Sequence, residues 1–206
     1  MASDADLVRY LPAYGYRRLR WRNGLGWTRE VHAAATAGGA VEASVVWDWR
    51  LSIAEIESDA RYSTFPGVER EQVLLAGEGL ALDFGDGDRR LLLPPHGRQC
   101  FPGDAQVEAH LQAGRVEVFN LMWRPGRVAA RLWHRPLVGP MLLFVEPGDS
   151  WAVHVVAGQA GVDGGRALPV LERGDSAVLA AGCDRARYML QGSGELLLVQ
   201  VSPAAQ

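Results

Sequence analysis

The stretch Trp47-Asp48-Trp49-Arg50-Leu51-Ser52-Ile53-Ala54 puts a large apolar side chain at every second position, with Asp48, Arg50, Ser52 and Ala54 between them. Successive side chains of an extended backbone point to opposite faces, so this period of two reads as a β-strand with one apolar face and one that carries polar groups. The rhythm continues outward. Leu80, Leu82 and Phe84 alternate with Ala81 and Asp83 before Gly85-Asp86-Gly87-Asp88, a turn that reverses the chain. The 24 glycines and 11 prolines punctuate the sequence at short intervals, and no window carries a long stripe of period 3.6. The expected fold is therefore all-β, a sandwich or barrel with only short helices.

At 206 residues the chain buries roughly 70% of its unfolded surface, enough for one sizeable core or two smaller ones without metal or disulfide. The 21 basic and 24 acidic residues give a net charge of -3 and are scattered without a block of one sign, which argues against nucleic acid as a partner. No apolar run approaches the roughly 20 residues of a membrane helix. The acidic start Met1-Ala2-Ser3-Asp4-Ala5-Asp6 lacks the basic and apolar regions of a signal peptide, so a cytoplasmic location is expected. Cys100 and Cys183 lie far apart, which fits a reducing compartment and leaves a disulfide open.

Six segments share a further likeness: Trp21-Arg22-Asn23-Gly24-Leu25-Gly26-Trp27-Thr28-Arg29-Glu30, Trp49 to Glu55, Tyr62 to Arg70, Leu75-Ala76-Gly77-Glu78-Gly79, Phe101-Pro102-Gly103-Asp104 and Phe119-Asn120-Leu121-Met122. In this order they resemble the HutD/Ves family of bacterial cupin-like proteins, over most of the first 125 residues. The resemblance implies a duplicated cupin-type barrel (an RmlC-like jelly roll), a bicupin, with residues 1–125 in the first barrel, residues 126–206 in the second and exchange of strands between halves open. An internal likeness agrees with duplication: Leu74 to Gly79 resembles Val155 to Gly161, and Leu171-Glu172-Arg173-Gly174-Asp175 followed by Ala181-Gly182 looks like a pattern common in cupin barrels. The family's name points to histidine utilisation or stress induction, and cupin-type proteins frequently dimerise through sheet edges, so a homodimer is among the expected partners.

Metal-binding cupins place His-x-His, a nearby carboxylate and a later histidine around a divalent ion. Here the five histidines are singletons, and Arg70-Glu71-Gln72-Val73 stands near where His-x-His falls. The expectation is a metal-free site with no cofactor. No Gly-x-Ser-x-Gly elbow is present, and neither cysteine has a nucleophile's context. The polar residues instead suggest one pocket in the first barrel, formed by Asn23, Gly24, Thr28, Glu30, Arg50, Ser52 and Glu55, with Phe65 on its rim. Asn, Thr and Ser bring donors and acceptors, and Arg50 brings a fork for a carboxylate. Gly24 and Gly26 let the backbone turn tightly beside the ligand. Glu55 shares parity with Trp49, Leu51 and Ile53 and is expected to face the barrel interior. Two structural readings stay beside this one: Arg50 as a bridge to Glu30 or Glu55, and Phe65-Pro66-Gly67 as a plain turn.

The favoured reading is a metal-free accessory or regulatory protein of histidine utilisation that binds a small anionic metabolite of the urocanate, formylated glutamate or formate class. The alternative is an isomerase or hydrolase of small carboxylic or sugar acids with Glu30 or Glu55 as general base, although no catalytic constellation is recognisable. A third reading has the protein act through a protein partner, with the polar cluster merely stabilising the barrel.

Overall fold

Turn residues divide the chain into seventeen strands among residues 7–21, 23–35, 47–165 and 167–204, the residues described by a computed structural model. In chain order they are β1 Val8–Leu11, β2 Arg17–Arg20, β3 Gly26–Ala34, β4 Trp49–Ile56, β5 Ala60–Arg61, β6 Glu69–Ala76, β7 Leu80–Asp83, β8 Arg89–Leu92, β9 Arg98–Pro102, β10 Glu108–Leu111, β11 Val116–Trp123, β12 Val128–Val138, β13 Met141–Val145, β14 Ser150–Asp163, β15 Leu171–Glu172, β16 Ser176–Ala180 and β17 Ala186–Pro203. The acidic start at residues 1–6 and Arg22 lie outside the described residues. All-β architecture is thus established, and no helix among the described residues is long and apolar enough to cross a membrane.

The strands fall into two units. Arg17–Arg127 forms one, and the described residues up to Tyr16 join those from Val128 onward to form the other. A boundary at residue 125 therefore misses one feature. β1 pairs antiparallel with β16, Val8 opposite Leu179 and Leu11 opposite Ser176, so the N-terminal segment belongs with the C-terminal strands.

In the Arg17–Arg127 unit a six-stranded sheet, ordered β2-β3-β4-β11-β6-β9, accompanies a four-stranded sheet, β5-β10-β7-β8. Their shared core holds Ala54, Ile56, Leu74, Val116 and Val118 from the first sheet and Leu80, Leu82, Leu92 and Ala109 from the second. The other unit is a seven-stranded sheet, ordered β1-β16-β14-β17-β12 with β13 on β17 and β15 on β14, around its own core of Val153, Val155, Leu179, Leu190, Leu196 and neighbours.

Register places the polar residues. β11 lies between β4 and β6, and its pairing aligns three successive rows on one face of the sheet. Ala54, Val118 and Leu74 form an apolar row within the core. Two residues along every strand come Ser52, Asn120 and Gln72, and two further come Arg50, Met122 and Arg70. On β4 and β6 the inner face thus changes from oil to hydrogen-bonding groups to guanidinium within four residues, with Met122 of β11 between the two arginines.

Candidate anion-binding cleft

The two polar rows form the floor of a cleft of about 520 Å³, with walls from Leu19, Arg20, Trp21, Asn23 and Thr28 on one side and Arg61, Tyr62, Ser63 and Phe65 on the other. Ser52 (2% exposed), Gln72 (1%) and Asn120 (5%) are buried. The Gln72 amide donates to Asn120 Oδ1 at 3.2 Å, and the buried Tyr62 hydroxyl donates to Gln72 Oε1 at 3.3 Å. Chained in this way, the polar groups are fixed in orientation.

Arg70 is the exceptional member. It is 6% exposed, and one Nη2 donates to Asn120 Oδ1 at 3.3 Å. Its guanidinium lies 4.9 Å from the Tyr62 ring centroid, 5.1 Å from Phe101, its cross-strand partner, and 5.7 Å from Phe65. No carboxylate among the described residues pairs with it, and its buried Nε has no acceptor there. Burial pushes Arg70 down from the usual arginine range to about 10; Tyr62 works against this and the positive charge of Arg50 adds to it. The side chain still carries its charge at neutral pH. Arg50, in the same row, is already matched: its Nε lies 3.0 Å from Glu30 Oε2.

Five of the eight residues expected to bind ligand, Asn23, Thr28, Arg50, Ser52 and Phe65, line the cleft, whereas Gly24, Glu30 and Glu55 do not. Asn23 uses its Oδ1 to accept from the Leu25 amide at 3.1 Å, and Thr28 accepts from Trp21 Nε1 at 2.9 Å, which holds the indole as a wall. Gly24 adopts φ +73° in the turn, and the Arg20 guanidinium donates to its carbonyl at 2.7 Å. Gly26 is required by contact, because a β-carbon there would sit 2.5 Å from the Glu55 carbonyl oxygen and 3.2 Å from the Trp21 ring.

The interior placement expected of Glu55 does not hold. Arg50, Ser52 and Ala54 face the cleft, so alternation turns Glu55 to the opposite face of β4. There it is buried between Arg18 Nη2 at 2.5 Å and Arg29 Nε at 2.9 Å. Phe65-Pro66-Gly67 does form a turn, with the Val68 amide donating to the Phe65 carbonyl at 3.2 Å, and it also carries Phe65 to the cleft.

Arg70 and Gln72 are the residues that the sequence reading passed over. Their signal was the spacing, since a cation and an amide at i and i+2 stand near the position where a metal-binding cupin carries His-x-His. Among the described residues the cleft lining contains no His, Cys, Asp or Glu. Such a donor set suits an anion rather than a divalent cation.

The fold and this cleft make the protein cupin-like. The chain belongs to the HutD family, whose model matches residues 13–198. It is 37% identical over 125 residues to an uncharacterised 21.2 kDa protein of the hutC 3' region of Pseudomonas putida, a match covering 61% of this chain and 63% of that one. It is also 36% identical over 113 residues to protein Ves of Citrobacter koseri, covering 54% and 56%. These matches thus span less than two thirds of either relative's length. Among solved structures, HutD from Pseudomonas fluorescens SBW25, described as a formate condition, superposes with a TM-score of 0.80 at 28% identity, over 96% of this chain and all of that one. A bacterial pirin from Escherichia coli shares the fold alone, with a TM-score of 0.65 at 11% identity over 96% of this chain and 100% of the pirin.

Proposed function

We propose that the cleft binds a small anionic metabolite, with Arg70 as the group that grips its carboxylate. One observation carries the reading: a guanidinium in an aromatic cage, buried and without a carboxylate partner among the described residues. A charge held out of water in this way is costly unless it is paired, and a carboxylate matches the planar fork with two parallel hydrogen bonds. The buried amides of Gln72 and Asn120 and the hydroxyl of Ser52 are placed to orient the remainder of the ligand.

Family membership and the hutC-region relative support an accessory or regulatory role in histidine utilisation, with a ligand of the urocanate, formylated glutamate or formate class, and a lining without His, Cys, Asp or Glu among the described residues supports a metal-free site. The two units, each with its own β core, support the bicupin reading. Binding is favoured over turnover because Glu30 is committed to Arg50 and Glu55 faces away from the cleft between two arginines.

A thermal-shift screen of the EDTA-treated protein against urocanate, formylglutamate, formate and unrelated acids tests this. One acid at about a hundred times its Kd should add about 2.7 kcal/mol of stability, and Arg70→Met should remove that increment. If no acid shifts the transition, or if Arg70→Met responds as the parent does, the reading fails.

A further inference from the structure

We infer that the cleft selects a dianion, with one acidic group on Arg70 and a second met by Arg20 and Arg61 at the exposed rim; this deepens the anion reading above and rests on it. Among the described residues the charge inventory of the lining is lopsided, with four arginines and no Asp or Glu. Only Arg50 of these four has a carboxylate among the described residues, that of Glu30 at 3.0 Å. Arg61 donates to the neutral side-chain carbonyl of Gln106, and Arg20 donates to a backbone carbonyl and lies 4.8 Å from the Trp27 ring centroid. Among the described residues neither reaches a carboxylate.

Away from the cleft, Arg18, Arg29, Arg90, Arg98, Arg115 and Arg127 of the same unit each come within 2.5 to 3.6 Å of an Asp or Glu, while Arg17, Arg89 and Arg124 reach none among the described residues. What sets the cleft apart is that three unmatched guanidiniums, those of Arg20, Arg61 and Arg70, share one lining, which holds no Asp or Glu among the described residues. A monoanion on Arg70 leaves Arg20 and Arg61 unanswered. A second carboxylate drawn into the mouth gains two fork-shaped donors in place of the water it loses.

Calorimetric titration of the full chain with succinate, glutarate and adipate, each against its own mono-amide, isolates the charge, because acid and mono-amide have nearly the same shape and differ by one charge. At least one dicarboxylate should bind roughly tenfold or more tightly than its mono-amide, and the Arg20→Gln/Arg61→Gln double variant should bring the two together. Equal affinity for acid and mono-amide in every pair, or a preference that survives in the double variant, overturns the dianion proposal while an Arg70-dependent affinity keeps the anion reading. Absence of binding by all six compounds overturns the dianion proposal, and a blank thermal-shift screen beside that absence, or binding indifferent to Arg70→Met, overturns both.

Discussion

Arg70 holds its charge at a standing expense to the fold. Its descent to about 10 corresponds to roughly 3 kcal/mol against the charged form, and the three rings around it offset part of that. For a base whose folded-state value lies below its unfolded one, the cost is borne in full below pH 10. From about pH 10 up into the ordinary arginine range the unfolded chain holds a proton that the folded chain releases, so stability rises with pH through that window. Arg70→Met keeps a stem of similar reach and removes the charge, while Asn120 Oδ1 keeps its bond from Gln72. The variant should therefore unfold at a higher urea concentration at pH 7, a gain of about 1–2 kcal/mol, and lose the rise above pH 10. A loss of several kcal/mol would show instead that the guanidinium is a structural brace.

Among the elements, the turn between β15 and β16 shows the same discipline applied to stability. Asp175, at the end of the Leu171-to-Asp175 pattern, accepts from the Tyr10 hydroxyl at 2.9 Å, the Ala13 amide at 2.8 Å and the Glu172 amide at 3.0 Å. It therefore fastens the segment containing β1 to the strands it pairs with. Asp175→Ala leaves these donors without their acceptor and should cost roughly 2–4 kcal/mol, with faster amide exchange in β1 as the local signature. Burial, and then the bond to Asp175, push Tyr10 up to about 12. A phenol raised in this way adds stability below pH 10 that is lost as pH climbs to 12, and Asp175→Asn should flatten that decline in a urea series. Gly26→Ala, whose added carbon meets backbone at 2.5 Å, should cost roughly 1–3 kcal/mol and loosen the Trp21 wall. Alternation made β4 legible from sequence, but it could not say which face looks inward. Nearly all of β4 is buried on both faces, so hydrophobicity no longer separates inside from outside, and the more apolar row of Trp49, Leu51 and Ile53 turned out to be the one facing away from the cleft. Glu55 followed that row, and Arg70 was missed because its partners arrive from β11 and β9, through pairings that no local pattern encodes.

Over the whole molecule the net charge is -3, yet among the described residues the cleft gathers four arginines without an acid, so the protein as a body repels the class of ligand proposed for its cleft. The family motifs exposed the segments that build this cleft, but the charge contrast emerges only when strands distant in sequence are brought into register. The two contributions differ in range. Screening shortens from about 10 Å at 0.1 M salt to about 3 Å at 1 M, which weakens the solvent-exposed Arg20 and Arg61 far more than the buried Arg70. Chloride competing at Arg70 affects a dicarboxylate and its mono-amide alike, so the ratio of their affinities reports on the rim alone. Raising NaCl from about 0.05 to 0.5 M should therefore shrink the preference for glutarate over its mono-amide several-fold. The part of the affinity that depends on Arg70 should persist at the higher salt, as the difference between parent and Arg70→Met in the same titration. If salt instead erased all binding, the attraction would belong to the surface field, and the buried guanidinium would have no part in recognition.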